Sequence, residues 1–203
     1  CQVHLKAKNY DSAIPVLKRL EAEAEFPQNT TYAQSNLMKS YYEKEDFANA
    51  VVYADKVLKN DKIEDRIKSD AQIIVARSAI KTNDEAKAKE AYDKLNKIAK
   101  GELKAEALYY DAYFKNKEGK FDASNKAVEK YSSTYSGYKY FGAKSLLVMA
   151  KNYYGLKDSF QATEILQSII DNFAEFTDVV TECQTELATI KAEEAKTNSS
   201  VTE

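Results

Sequence analysis

The chain has 203 residues, with 30 Lys and Arg against 32 Asp and Glu and a net charge of −2. The two signs are interspersed, which excludes a basic face built for nucleic acid. Two prolines and five glycines are too few for a strand-and-turn fold. Long helices exclude both residues, so the composition specifies an all-α protein.

The first predicted hairpin lies in CQVHLKAKNYDSAIPVLKRL, and its second half recurs. NYDSAIPVLKRL is echoed by DFANAVVYADKV, NDEAKAKEAYDKL, KFDASNKAVEKY and DSFQATEILQSI. Aligned on the small residues Ala13, Ala50, Ala88, Ser124 and Ala162, these copies are spaced by 37, 38, 36 and 38 residues. Three before each anchor lie Tyr10, Phe47, Glu85, Phe121 and Ser159. Four after lie Leu17, Ala54, Tyr92, Val128 and Leu166, and seven after lie Leu20, Val57, Leu95, Tyr131 and Ile169. Offsets of 3, 4 and 7 share one helix face. A second small column, Cys1, Met38, Ala76, Ala112 and Ala150, lies twelve residues before the anchors. It requires a second helix, because KNYD, EKED, KTND, KEGK and GLKD intervene. Their Asn and Asp residues suit the N-cap of the helix that follows.

Each repeat is therefore helix A, a tight turn and helix B. Five are expected, at about 1–28, 29–62, 63–100, 101–136 and 137–175. One hairpin cannot bury its apolar face alone, but neighbours stacked in a row can. After the fifth, residues 177–195 read as a capping helix with a stripe of Val180, Cys183, Leu187 and Ile190. Ala188 continues the small column of helix A. The tail 197–203, TNSSVTE, is polar and expected to be disordered. Residues 1–196 form one expected domain. Cys1 falls on the helix A column rather than at a flexible tether, so it reads as a packing residue in the C-terminal part of a longer array. The truncated first repeat could then self-associate. No bridge from Cys1 to Cys183 is expected, since the two lie at opposite ends of the stack.

The pattern resembles the tetratricopeptide repeat. The resemblance rests on small residues at mid helix A and early helix B, an aromatic before the latter and large apolar residues after it. It covers nearly the whole chain. The period exceeds the family's roughly 34 residues. The family's Trp is absent, Ala replaces its helix A Gly, and the Pro ending helix B is missing. In these departures the chain is similar to the long-period repeats of bacterial envelope-assembly and cell-division proteins. The resemblance implies a right-handed α-solenoid of antiparallel hairpins and a protein-binding scaffold. A periplasmic or envelope-associated location is implied, with the cytoplasm as the alternative.

Chemistry is sparse. His4 is the only histidine, and Cys183 sits on an apolar stripe without an evident general base. The isolated glycines make no phosphate-binding loop. No enzyme activity, metal or cofactor is expected. No apolar run approaches the ~20 residues of a membrane span, so no transmembrane segment is predicted. In the family, helices A line the concave side, where partners bind. Counting from the anchors implies a wall of Tyr32, Lys39, Tyr42, Arg77, Tyr109, Tyr113, Lys151 and Tyr154. Tyrosine offers a large rigid area with a polar tip, and the spaced cations Lys39, Arg77 and Lys151 could hold the carbonyls or acids of an extended peptide. The stretch YKYFGAK, Tyr138 to Lys144, packs between repeats four and five or presents a second sticky edge. The expected partner is a protein or peptide, not nucleic acid. The alternative is a small-ligand binder, or an accessory subunit of an enzyme or envelope-assembly complex.

Overall fold

Every predicted hairpin turn is present, and all five are built alike. The computed structural model describes residues 2–200, with side chains for residues 2–196. Eleven α-helices and no strand occur among the described residues. The hairpins are α1 (Gln2–Lys6) with α2 (Tyr10–Glu23), α3 (Pro27–Glu43) with α4 (Phe47–Leu58), and α5 (Asp65–Lys81) with α6 (Glu85–Ile98). They continue as α7 (Gly101–Lys117) with α8 (Phe121–Tyr135) and α9 (Lys139–Gly155) with α10 (Ser159–Asn172). A single helix, α11 (Thr177–Ser200), follows.

At each A-to-B turn one residue adopts the left-handed conformation: Lys8, Glu45, Asn83, Gly119 and Lys157. The next backbone N–H then reaches five residues back, as in Asp46 N to Tyr41 O at 2.9 Å and Asp158 N to Tyr153 O at 2.9 Å. These bonds satisfy carbonyls that the end of helix A would leave orphaned. The residue that follows starts helix B as its cap. Asn9, Asp46, Asp84 and Asp158 accept the N–H of Ser12, Asn49, Lys87 and Gln161 at 3.0–3.1 Å. In the fourth repeat Lys120 stands at that position and makes no such bond. An Asp or Asn there is worth about 1 kcal/mol.

The anchor column forms the seam of every hairpin. Ala13, Ala50, Ala88, Ser124 and Ala162 are wholly buried, and so are Met38, Ala76, Ala112 and Ala150 opposite them. Small side chains at both positions let the A and B helices approach closely. Leu17, Ala54, Tyr92, Val128 and Leu166 fill the next layer, followed by Val57, Leu95, Tyr131 and Ile169. Leu20, expected in that layer, is only half-buried.

Contacts group the chain into two compact units, residues 1–103 and 104–203, with the boundary in the first turn of α7. Contacts in a hairpin array are local, which lets such a chain divide between repeats. In the first unit α2 to α6 pack in series, and α3 also packs on α5. In the second, α8 to α11 pack in series, and α11 also packs on α9.

The last helix departs from expectation in three ways. Its buried stripe is Val179, Cys183 and Ile190 with Leu187 half-buried, so Val179 takes the place given to Val180. Ala188 is exposed, and no helix B lies over the small column there among the described residues. The helix runs to Ser200, into the segment expected to be disordered, because extending an established helix needs no new nucleus. Residues 201–203, and the packing expected of Cys1, lie outside the described residues. No helix among the described residues is long and apolar enough to cross a membrane.

Candidate interaction surface

The predicted wall splits between the two units. In the first unit it comes from α3 and α5, whose neighbouring faces hold Tyr32, Lys39, Tyr42 and Arg77. Their N-terminal halves diverge over the connection from α4 to α5, six residues long and the longest between described helices. Asn60 fastens this connection to α3 by donating to Thr31 Oγ1 at 3.2 Å, and Asn60 Oδ1 accepts the Lys62 N–H at 3.1 Å. The divergence leaves an open cleft of about 570 Å³. Tyr32, Met38, Ile63 and Ile67 supply its apolar wall, and Lys62 and Arg66 stand beside it. Tyr32 is exposed. Ser35 lines the same cleft, and its Oγ, like those of Ser40, Ser78 and Ser145, is shielded from solvent without a hydrogen-bond partner.

Lys39 lines the cleft but is not free. Its ammonium donates to Asp70 Oδ2 at 2.5 Å, joining α3 to α5. Tyr42 is half-buried and packs edge-on against Phe47, with ring centroids 5.8 Å apart. Arg77 is half-buried on α5.

In the second unit the wall comes from α7 and α9, and α11 lies along it. Lys151 donates to Glu182 Oε1 at 2.6 Å and pairs with Glu186 at 3.1 Å. Burial opposes its charge, but those two carboxylates outweigh burial and raise its pKa. The Tyr140 hydroxyl donates to Asp178 Oδ2 at 2.8 Å, and the Tyr154 hydroxyl donates to Glu193. The acidic edge of α11 therefore occupies Lys151 and Tyr154 of the predicted wall, and Tyr140 of the YKYFGAK stretch. Lys39–Asp70 and Lys151–Glu182 are equivalent pairs, both 31 residues apart. The expected basic ladder is in this respect a set of bridges between successive A helices. Exposed pairs of this kind contribute only ~0–1 kcal/mol each.

Tyr109 is a correction. It was expected to be accessible, but it is buried between Tyr110, Tyr113 and Phe141, with centroids 4.8–6.1 Å away. That burial drives its pKa far above the ordinary tyrosine value. The Lys144 ammonium sits 4.7 Å from the Tyr109 centroid and 5.5 Å from that of Tyr140. Burial lowers the Lys144 pKa. Tyr113, half-buried, lines a smaller cleft of about 260 Å³ with Asn116, Lys144, Lys151 and Glu182. The YKYFGAK stretch packs inward. Tyr140 meets Phe141 and Phe176 edge-on, and Phe141 packs on Tyr109. Tyr138 alone of its aromatics is exposed.

Sequence reasoning placed Ser35 in the column of Tyr109 on the A-helix wall but missed Ile63, Arg66 and Ile67. A signal was present: the third anchor lies 38 residues after the second, and the added length falls in the connection below the cleft.

The tetratricopeptide repeat model matches residues 144–175. That segment, most of α9 and all of α10, is similar to a tetratricopeptide repeat. Tetratricopeptide repeats generally mediate protein–protein interactions and are typically non-catalytic. A search of curated proteins finds no relative. No group of three or more His, Cys, Asp or Glu side chains that could hold a metal ion occurs among the described residues.

Proposed function

We propose that the chain is a non-catalytic scaffold that holds a partner protein on the faces of its A helices. The observation that carries this reading is the α3–α5 cleft, with exposed Tyr32 at its wall and a solvent-shielded hydroxyl without a partner. Among the described residues four serine hydroxyls are shielded without a partner, and Ser35 is the one of them that lines this cleft, where a ligand would meet it. Tyrosine beside aliphatic side chains is the usual chemistry of an interface anchor. In the second unit the equivalent face is taken by α11, which favours the first unit as the docking side.

Affinity capture with the purified chain tests this. A specific protein should be retained in stoichiometric amount, and Tyr32→Ala combined with Tyr42→Ala should abolish retention while helical circular dichroism is preserved. Undiminished retention by the folded double variant would remove the A-helix face as the site.

A further inference from the structure

We infer that the α3–α5 cleft receives an internal peptide segment in which a large apolar side chain is flanked by carboxylates. This inference rests on the scaffold reading and specifies the chemistry of the partner. The floor of the cleft sets the first requirement. Met38 is wholly buried and Ile63 nearly so, while half-buried Ile67 and exposed Tyr32 form walls that water reaches. A volume of about 570 Å³ holds one or two large side chains with the backbone that carries them, and is too small for a packed helix.

Ser35 Oγ sets the second requirement. It can both donate and accept, and a bound backbone supplies either partner. An extended segment presents such groups; a helix has already used them internally.

The charges beside the cleft set the third. Lys39 and Asp70 neutralise one another at 2.5 Å. Lys62 and Arg66 are exposed, and their side chains make no hydrogen bond or ion pair with any described residue. Glu64 is the one other acid lining the cleft, so among the lining residues unpaired cations outnumber unpaired acids, with Asp61 and Asp65 just outside it. A guanidinium offers a carboxylate two parallel hydrogen bonds, and charges at the edge of a site act mainly on association rate and selectivity. An acidic flank is attracted by Arg66 and Lys62, and a basic flank is repelled.

The test uses fluorescence anisotropy of a blocked, fluorescein-labelled peptide with one leucine between aspartates in a Gly/Ser context. The chain should bind it, and Arg66→Glu and Tyr32→Ala should each weaken binding about tenfold. Lys126→Glu, an exposed position on α8, should leave binding unchanged. Equal binding of a peptide with lysines in place of the aspartates would overturn the charge requirement. Equal binding with serine in place of leucine would overturn the apolar one. A concentration-dependent dimer that Arg66→Glu dissolves would make a second copy the occupant and overturn the peptide. Peptide failure, with partner capture intact and indifferent to Arg66→Glu, removes this cleft but leaves the scaffold reading. Absence of any specific captured protein removes the scaffold reading itself.

Discussion

Replacing Asn152 with leucine is expected to destabilise the second unit by about 2–4 kcal/mol, read as a lower urea midpoint at unchanged slope. Asn152 is wholly buried on α9. Its amide donates to Ser124 Oγ at 2.8 Å and to Asn125 Oδ1 at 2.7 Å, both on α8. Its carbonyl accepts from Asn116 Nδ2 on α7 at 2.8 Å. Ser124 Oγ in turn donates to Ala112 O at 2.7 Å. One side chain thus ties three helices. Leucine would fill much the same space, so the cost would come from polarity rather than a cavity. Asn125 Oδ1 would lose its donor while remaining buried, and a buried group left unsatisfied carries its full desolvation cost. Adding Asn125→Leu should recover part of the loss, because it removes the stranded Asn125 Oδ1. A single variant as stable as the parent would show that the network contributes nothing.

Ending the chain at Phe176 should cost the second unit more, about 5 kcal/mol or above, which is comparable with the whole stability of a small domain. The helix removed, α11, covers the cluster of Ala143, Leu147, Ala150, Ala162, Leu166 and Ile169 with Val179, Cys183 and Ile190. Each large apolar side chain it buries is worth roughly 1.5–3 kcal/mol. The shortened chain should bind a hydrophobic dye and unfold with a broad transition. Cys183 is part of this packing. Burial pushes its thiol up to about 11, so it serves the core as a small apolar group. Full cooperativity and no dye binding in the shortened chain would show that α11 is dispensable.

These two effects separate what was legible in the sequence from what was not. The anchors, the turns and the start of α11 were legible because they follow local rules. Small residues recurred every 36–38 positions, and Asn or Asp stood where a cap was needed. The left-handed turn residues were not, since Lys8, Glu45, Asn83 and Lys157 are not glycine and the backbone bonds of the turn impose their conformation. Asn152 was not singled out either, because the same position carries Val3, Ser40, Ser78 and Phe114 in the other hairpins. The wall was legible as a set of columns but not as a surface. Tyr109 lies in an exposed column by register, yet the neighbouring aromatics of α7 and α9 enclose it. Lys151 looked available until α11 supplied Glu182 and Glu186. Contacts between successive A helices depend on which residues of the next repeat come alongside, and a single column does not record that.

Hydrogen exchange on a purified complex with the captured partner tests most directly whether the A-helix face of the first unit is the binding side. Slowed exchange is predicted in α3 and α5, from Tyr32 through Asp70, with the greatest protection in the connection that holds Ile63. Slowed exchange confined to α2, α4 and α6, with α3 and α5 exchanging as in the free chain, would contradict it.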